Sequence, residues 1–194
     1  MISRLVLILK RRIRIPEDIK KAQKKIVHIS DTPESIYGFL EKLFREIQPN
    51  IVIHTGDLVD NIKLERKPWL REEYRGKLVV LKQVLSRTER LYLIPGNEDD
   101  KEIIREVFQN SAIIVEPGTI LEIWGKRIGV GHEPEDVTNI NADFLLYGHD
   151  PKKTFGLNGI LSINVITYPD WRVFRIPYPP GTNFDRGYRM LRGL

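Results

Sequence analysis

Residues 51–61 read IVIHTGDLVDN. A short β-branched run bounded by turn residues is the pattern of a fully buried strand, and Gly56 allows the backbone conformations that a sharp exit needs. The strand therefore ends by presenting one carboxylate, Asp57, with a second, Asp60, three residues on. A Gly-Asp pair after a strand is by itself most often a turn.

Repetition turns this stretch into more than a turn. Four other apolar runs end the same way: residues 26–30 run into Asp31, 91–96 into Asn97, 128–131 into His132 and 144–148 into His149. Each stops at Ser or Gly and is followed at once by a side chain that can ligate a metal through oxygen or imidazole nitrogen. Five such strand ends meeting at one edge would make a site.

Composition narrows the class. The 194 residues are 41% hydrophobic and 29% charged, enough for one domain with a real core in an ordinary globular protein. The absence of cysteine removes disulfides, thiolate metal sites and cysteine nucleophiles together, and fits a reducing, cytoplasmic setting. No run approaches the roughly 20 apolar residues of a membrane span, so no membrane role is expected. Abundant Lys, Arg, Glu and Ile point to a heat-adapted source.

Charge is uneven. Residues 1–25 hold nine Lys and Arg against Glu17 and Asp18, a surplus larger than the whole chain's +5. These residues are read as a basic arm able to touch nucleic acid or another anionic partner, or simply as a solvated basic face, with residues 26–194 forming one domain.

Along the chain, residues 5–15 suggest an extra strand and Pro16 opens a short helix through residue 24. After the strand at 26–30, Thr32 is a plausible helix cap with Pro33 at the first helical position. Ile36, Phe39, Leu40, Leu43, Phe44 and Ile47 then form one apolar stripe. Residues 62–76 read as a loop over the cleft or a poorly patterned helix, with Trp69 and Tyr74 packed locally. A helix at 77–87, a strand at 91–94 and a helix at 99–108 follow. Alternation of this kind implies parallel strands with helices outside. From residue 112 the texture is β: 112–115, 120–124, 127–130, 144–147, 159–167 and 171–176, with short spacers that suit hairpins. His28 and His54, inside strands, are expected to be packed core residues, and Asp60 to hold a loop. Tyr168, Trp171, Phe174 and Tyr178 are expected to pack at the sheet edge.

The ordered signals SDTP, GDLVD, GNED, GHE and GHD resemble those of the calcineurin-like metallophosphoesterases, whose pattern is DxH, GDxxD, GNHD or GNHE, GH and GHxH; the resemblance covers roughly residues 26–170. It implies an α/β fold of two β-sheets packed face to face and flanked by helices, a four-layer αββα sandwich with two divalent metals at its edge. It also implies metal-dependent hydrolysis of a phosphate mono- or diester. Metals suit that chemistry because they neutralise phosphoryl oxygens and lower the pKa of a bound water. Carried over by position, Asp57 bridges the two metals and joins Asn97, His132 and His149 in a firmly held site. Two imidazoles, a carboxylate and an amide oxygen favour Mn, Fe, Co, Ni or Zn over Ca or Mg.

Three departures qualify the resemblance. The histidine of DxH falls on Pro33 and the second histidine of GHxH on Pro151, so Asp31 and Asp57 alone remain of the second metal's expected ligands, with Asp150 and Glu34 as substitutes to consider. The GNH histidine, which acts on the leaving group, is Glu98 here. A carboxylate there repels an anionic substrate unless it is kept protonated or is itself a ligand. The expectation is thus a phosphoesterase with a reduced site, one firm metal and a weak second completed by substrate, with Asp57 and Glu98 nearest the chemistry. Two other readings compete with it: a scaffold of the same fold that binds protein partners, and a nuclease that holds DNA through the basic arm.

Overall fold

The computed structural model describes residues 15–187; the strand expected at 5–15 falls almost entirely outside them. Helix α1 (Glu17–Lys21) leads into strand β1 (Lys24–Ile29), then α2 (Tyr37–Ile47), β2 (Ile51–His54), α3 (Arg71–Leu85), β3 (Arg90–Leu93), α4 (Lys101–Phe108) and β4 (Ile113–Ile114). The second half holds β5 (Thr119–Ile123), β6 (Lys126–Val130), α5 (Pro134–Val137), β7 (Phe144–Tyr147), β8 (Leu157–Asn158), β9 (Ile163–Tyr168), β10 (Val173–Ile176) and α6 (Thr182–Asp185).

Two sheets result. The larger has the order β10-β9-β1-β2-β3-β4 and the smaller β5-β6-β7-β8. In the larger, β1 to β4 run parallel, while β9 is antiparallel to both β1 and β10. Side chains alternate across a strand, and the two cores follow that period. Val27, Ile29, Val52, Leu91 and Leu93 face the helices, packing with Leu40, Phe44, Leu78 and Ile104. Ile26, Ile51, Ile53, Tyr92 and Ile94 face the other way, against Ile123, Ile128, Val130 and Leu146 of the small sheet. On the far side of the small sheet Gly129 lies against Ile140, just after α5. The architecture is the expected pair of sheets flanked by helices.

Several elements depart from expectation. Thr32 does not cap a helix: its hydroxyl donates to the Leu58 carbonyl and meets His54 Nε2, and the helical chain begins with a 3-10 turn at Glu34–Ile36. The last six residues of the 62–76 segment are helical, because α3 begins at Arg71; there Tyr74 is buried, whereas Trp69 is 73% exposed rather than packed. The small sheet is not built of hairpins alone, since β6, β7 and β8 are mutually parallel and α5 occupies the first of those connections. Residues 159–162, expected in a strand, join β8 to β9 instead. The basic segment is in part structural. Ile15 and Ile19 lie in the helix-side core, and Lys24 and Lys25 are paired with Tyr168 and Thr167 in the sheet. No described helix is long and apolar enough to cross a membrane.

Candidate metal centre

Parallel β1, β2 and β3 end side by side, as do parallel β6 and β7 in the facing sheet. All five sequence signals follow these carboxyl ends. The turns are tight. Asp31, Asp57 and His149 take left-handed backbone conformations (φ of 52°, 53° and 63°), and the peptide groups interlock: Asp31 N donates to Gly56 O at 2.9 Å and Thr32 N to Asp57 O at 3.0 Å. Gly56 is required twice over, by its φ of 97° and because a Cβ there would stand 2.3 Å from His132 Nδ1.

His132, Asn97, Asp57 and His149 converge. His132 Nδ1 is 2.7 Å from the Thr55 carbonyl, which can only accept, so the neutral ring carries its proton there and bares the lone pair of Nε2. That lone pair meets Asn97 Oδ1 at 3.0 Å, His149 Nδ1 at 3.2 Å and Asp57 Oδ1 at 3.5 Å. The Asn97 amide is oriented independently, its nitrogen donating to Glu65 Oε2 at 3.2 Å, so its oxygen faces inward. A cation placed among these lone pairs would satisfy all of them at once. One ligand atom each from Asp57, His132 and His149 lies within 4.8 Å of the others, a set that fits a divalent transition metal.

A second group adjoins it: Asp31, Asp57 and Asp60, again with one oxygen each within 4.8 Å. Asp31 Oδ2 accepts from His149 N at 3.1 Å and Asp57 Oδ1 from Glu98 N at 3.1 Å, while Asp60 pairs with Lys63. Burial first, then the Asp31, Asp99 and Asp60 carboxylates, push the Asp57 carboxyl well above the usual range; Lys63 opposes this. Burial and Asp31 raise Asp60 to about 7 against the pull of Lys63. A bound cation inverts this logic and holds such carboxylates ionised.

Glu98 is placed differently. Its carboxylate accepts from Glu65 N at 2.9 Å and forms part of the cleft wall; it belongs to neither group of converging donors among the described residues. Asp99, the next residue, turns the other way and accepts from Leu58 N, Gly96 N and the Tyr74 hydroxyl. Of the substitutes, Glu34 is exposed and engaged by Lys77 at 2.6 Å, whereas Asp150 and Pro151 line the cleft. His28 and His54 are fully buried core residues, each held near pKa 3, chiefly by burial.

Sequence reading missed Arg186 and Lys63. Arg186 is 2% exposed, stacks on Tyr178 with its guanidinium 4.4 Å from the ring centre, and donates to the carbonyls of Asp31 (2.6 Å), Ile160 (2.7 Å) and Ser30 (3.1 Å). It lies in a Pro- and Gly-rich tail where nothing local distinguishes it. Lys63, Arg66, Lys152 and Arg186 share the walls of a 950 Å³ cleft with Glu65, Glu133 and Glu135.

The model of the calcineurin-like phosphoesterase family matches residues 24–183. No curated protein sequence matches the chain. Among solved structures, one superposes with a TM-score of 0.53 at 10% identity, over 80% of this chain and 99% of that one. Yfce, a phosphoesterase from E. coli, is 16% identical over 80% of this chain and all of its own, with a TM-score of 0.49. The nuclease MPE of Pseudomonas putida is 13% identical over 78% and 87%, with a TM-score of 0.41. At these identities the likeness is one of fold.

Proposed function

Because the chain belongs to the calcineurin-like phosphoesterases, we propose that it hydrolyses a phosphate mono- or diester using one firmly held divalent transition metal on Asp57, Asn97, His132 and His149. The observation that carries this is the opposed lone pairs of His132 Nε2 and Asn97 Oδ1, each oriented from behind by a hydrogen bond. A cation bound there supplies charge neutralisation for the phosphoryl oxygens and a water of lowered pKa.

The chain's own residues do the rest. The Thr55 carbonyl keeps the His132 ring in the ligating tautomer, and Asp136, accepting from His132 N at 2.8 Å, fixes the loop that carries it. Lys63, Arg66 and Lys152 give the cleft cations that can meet a phosphate, while Glu98, held by Glu65 N, sets a carboxylate into the same wall. With the family's leaving-group histidine replaced by Glu98, slow turnover of an activated ester is expected.

The test is hydrolysis of an activated phosphodiester and a monoester in the presence of Mn2+, comparing the native chain with Asp57→Asn prepared identically. Turnover that vanishes in the variant supports the proposal. Equal rates in both, or none in either across Mn2+, Zn2+ and Ni2+, would reject it and favour the scaffold reading, for which the lost imidazoles at Pro33 and Pro151 speak.

A further inference from the structure

The cations that line the cleft are not equivalent. Arg66 and Lys152 stand exposed on its rim, and the buried Arg186 guanidinium is spent on backbone carbonyls. Lys63 lies between these extremes, with its side chain 29% exposed. Its place is fixed from both sides: Ile62 and Leu64 pack into the helix-side core, and the Lys63 carbonyl accepts from Lys67 N at 2.8 Å and from Arg66 N at 3.2 Å. Its ammonium is held by Asp60, whose side chain is 1% exposed. A buried carboxylate without a cation is costly, so the pairing keeps both charges in one geometry. The ammonium donates to Asp60 Oδ1 and to no other group among the described residues, which leaves two of its three protons for the cleft. Burial works against its charge, but Asp60 first, then Asp57 and Glu98, outweigh it and hold Lys63 ionised; Lys63 acts on Asp57 in return. A fixed, partly desolvated ammonium therefore stands beside the candidate centre, in a cleft lined by more carboxylates than cations.

We infer that Lys63 is a catalytic residue whose ammonium, aimed by Asp60, binds a non-bridging phosphoryl oxygen and neutralises the charge that grows there in the transition state. The inference rests on the phosphoesterase reading above. In that hydrolysis a water oxygen forms the new bond to phosphorus, and the ester oxygen leaves with its electron pair and takes up one of the water's protons by way of solvent. Lys63 keeps its own protons throughout. A charge already in place when the reaction begins needs no reorganisation, which is what makes such a donor effective in a site with little water. Asp60 is a positioning residue, acting on the substrate only through Lys63; the loop it was expected to hold matters here for the ammonium that the loop carries.

The test uses Mn2+-loaded protein. Inorganic phosphate is titrated calorimetrically, and hydrolysis of an activated phosphodiester is followed in the same samples. Lys63→Met should keep its Mn2+, which also reports the fold, lose about tenfold in phosphate affinity and about 100-fold in kcat. Lys63→Arg, which returns the charge, should hold phosphate to within a few-fold of the native chain. Asp60→Asn should lower kcat about tenfold in the native background and cost nothing further in the Lys63→Met background, because a residue that acts only through Lys63 has nothing left to position. Native phosphate affinity and kcat in Lys63→Met would overturn the inference, as would an Asp60→Asn loss that persists undiminished over Lys63→Met. A native chain that binds Mn2+ and hydrolyses no ester would instead defeat the phosphoesterase reading, and with it the catalytic role, while the phosphate titration would still decide whether Lys63 holds the anion.

Discussion

His28 lies three residues before Asp31 and illustrates how little of a residue's role its type decides. Asn164 Nδ2 donates to its Nδ1 at 3.1 Å, so its proton sits on Nε2 and goes to Thr55 Oγ1 at 2.9 Å. A second proton would face the Asn164 N–H, in a site without solvent. Burial accordingly holds its pKa near 3, below the roughly 6.5 of an unfolded chain. Above about pH 6.5 neither state binds a proton and pH has no hold on this group. Between there and pH 3 the unfolded chain protonates and the native one does not, so stability falls as pH falls. For His28→Gln, studied metal-free in chelator, we expect lower stability at neutral pH, by about 1 kcal/mol for the altered hydrogen bonds. Its urea-denaturation profile should be flatter in acid by up to about 1.4 kcal/mol per pH unit; parallel profiles would disprove the assignment. Gly148 makes the complementary point. A Cβ there would stand 1.9 Å from Ser30 Oγ and 2.4 Å from Asp31 Oδ2, so Gly148→Ala should cost about 1–3 kcal/mol in calorimetry and displace Asp31.

At the scale of elements, legibility tracked whether the signal was local. The stripe from Ile36 to Ile47 was readable because a helix repeats its buried face every three or four residues, and α2 buries Leu40, Leu43, Phe44 and Ile47 as that period requires. The five strand ends were readable because a buried β-branched run, a small residue and a ligand follow one another in the chain. What failed was set by distant partners. Thr32 reads as a cap, but His54 and the Leu58 carbonyl claim its hydroxyl; the start of α3 is masked by charge, although Tyr74 and its bond to Asp99 draw the helix back to Arg71. β8 is only two residues long and offers no pattern to read, and the parallel run of β6, β7 and β8 is set by pairing across the sheet, which the short spacers of the second half do not reveal. The tail is the clearest case. α6 has four residues and no stripe, yet it delivers Arg186 to the carbonyls beneath Asp31. Arg186→Met would leave the Asp31 and Ile160 carbonyls without this donor, and each such buried group costs about 1–3 kcal/mol. We expect the urea midpoint to drop by a corresponding amount and metal affinity at Asp31 to weaken. A variant as stable as the native chain would show the tail to be dispensable.

In the whole molecule the candidate centre is also a joint. Asp57 and Asn97 come from the ends of the large sheet, His132 and His149 from the small one, and between the sheets lies an apolar layer of residues such as Ile53, Ile94, Ile128 and Leu146. Direct polar ties across that joint include His132 Nδ1 to the Thr55 carbonyl and His149 N to Asp31 Oδ2. An ion held by ligands from both sheets therefore binds the folded sandwich and not the unfolded chain, and its affinity appears as stability. At a free concentration one hundred times its Kd, Zn2+ should raise the unfolding free energy by about 2.7 kcal/mol, and His149→Ala should abolish most of that rise. Location matters as much as size. If the ion clips the sheets together, chelation should speed amide exchange at the carboxyl ends of β6 and β7 and at the Gly96 turn, while α2 and α3, packed on the opposite face of the large sheet, keep their protection. Exchange that quickens uniformly would mean that the ion stabilises the fold without joining its halves. A Zn2+ effect that survives in His149→Ala would place the ion elsewhere, and with it the proposed chemistry.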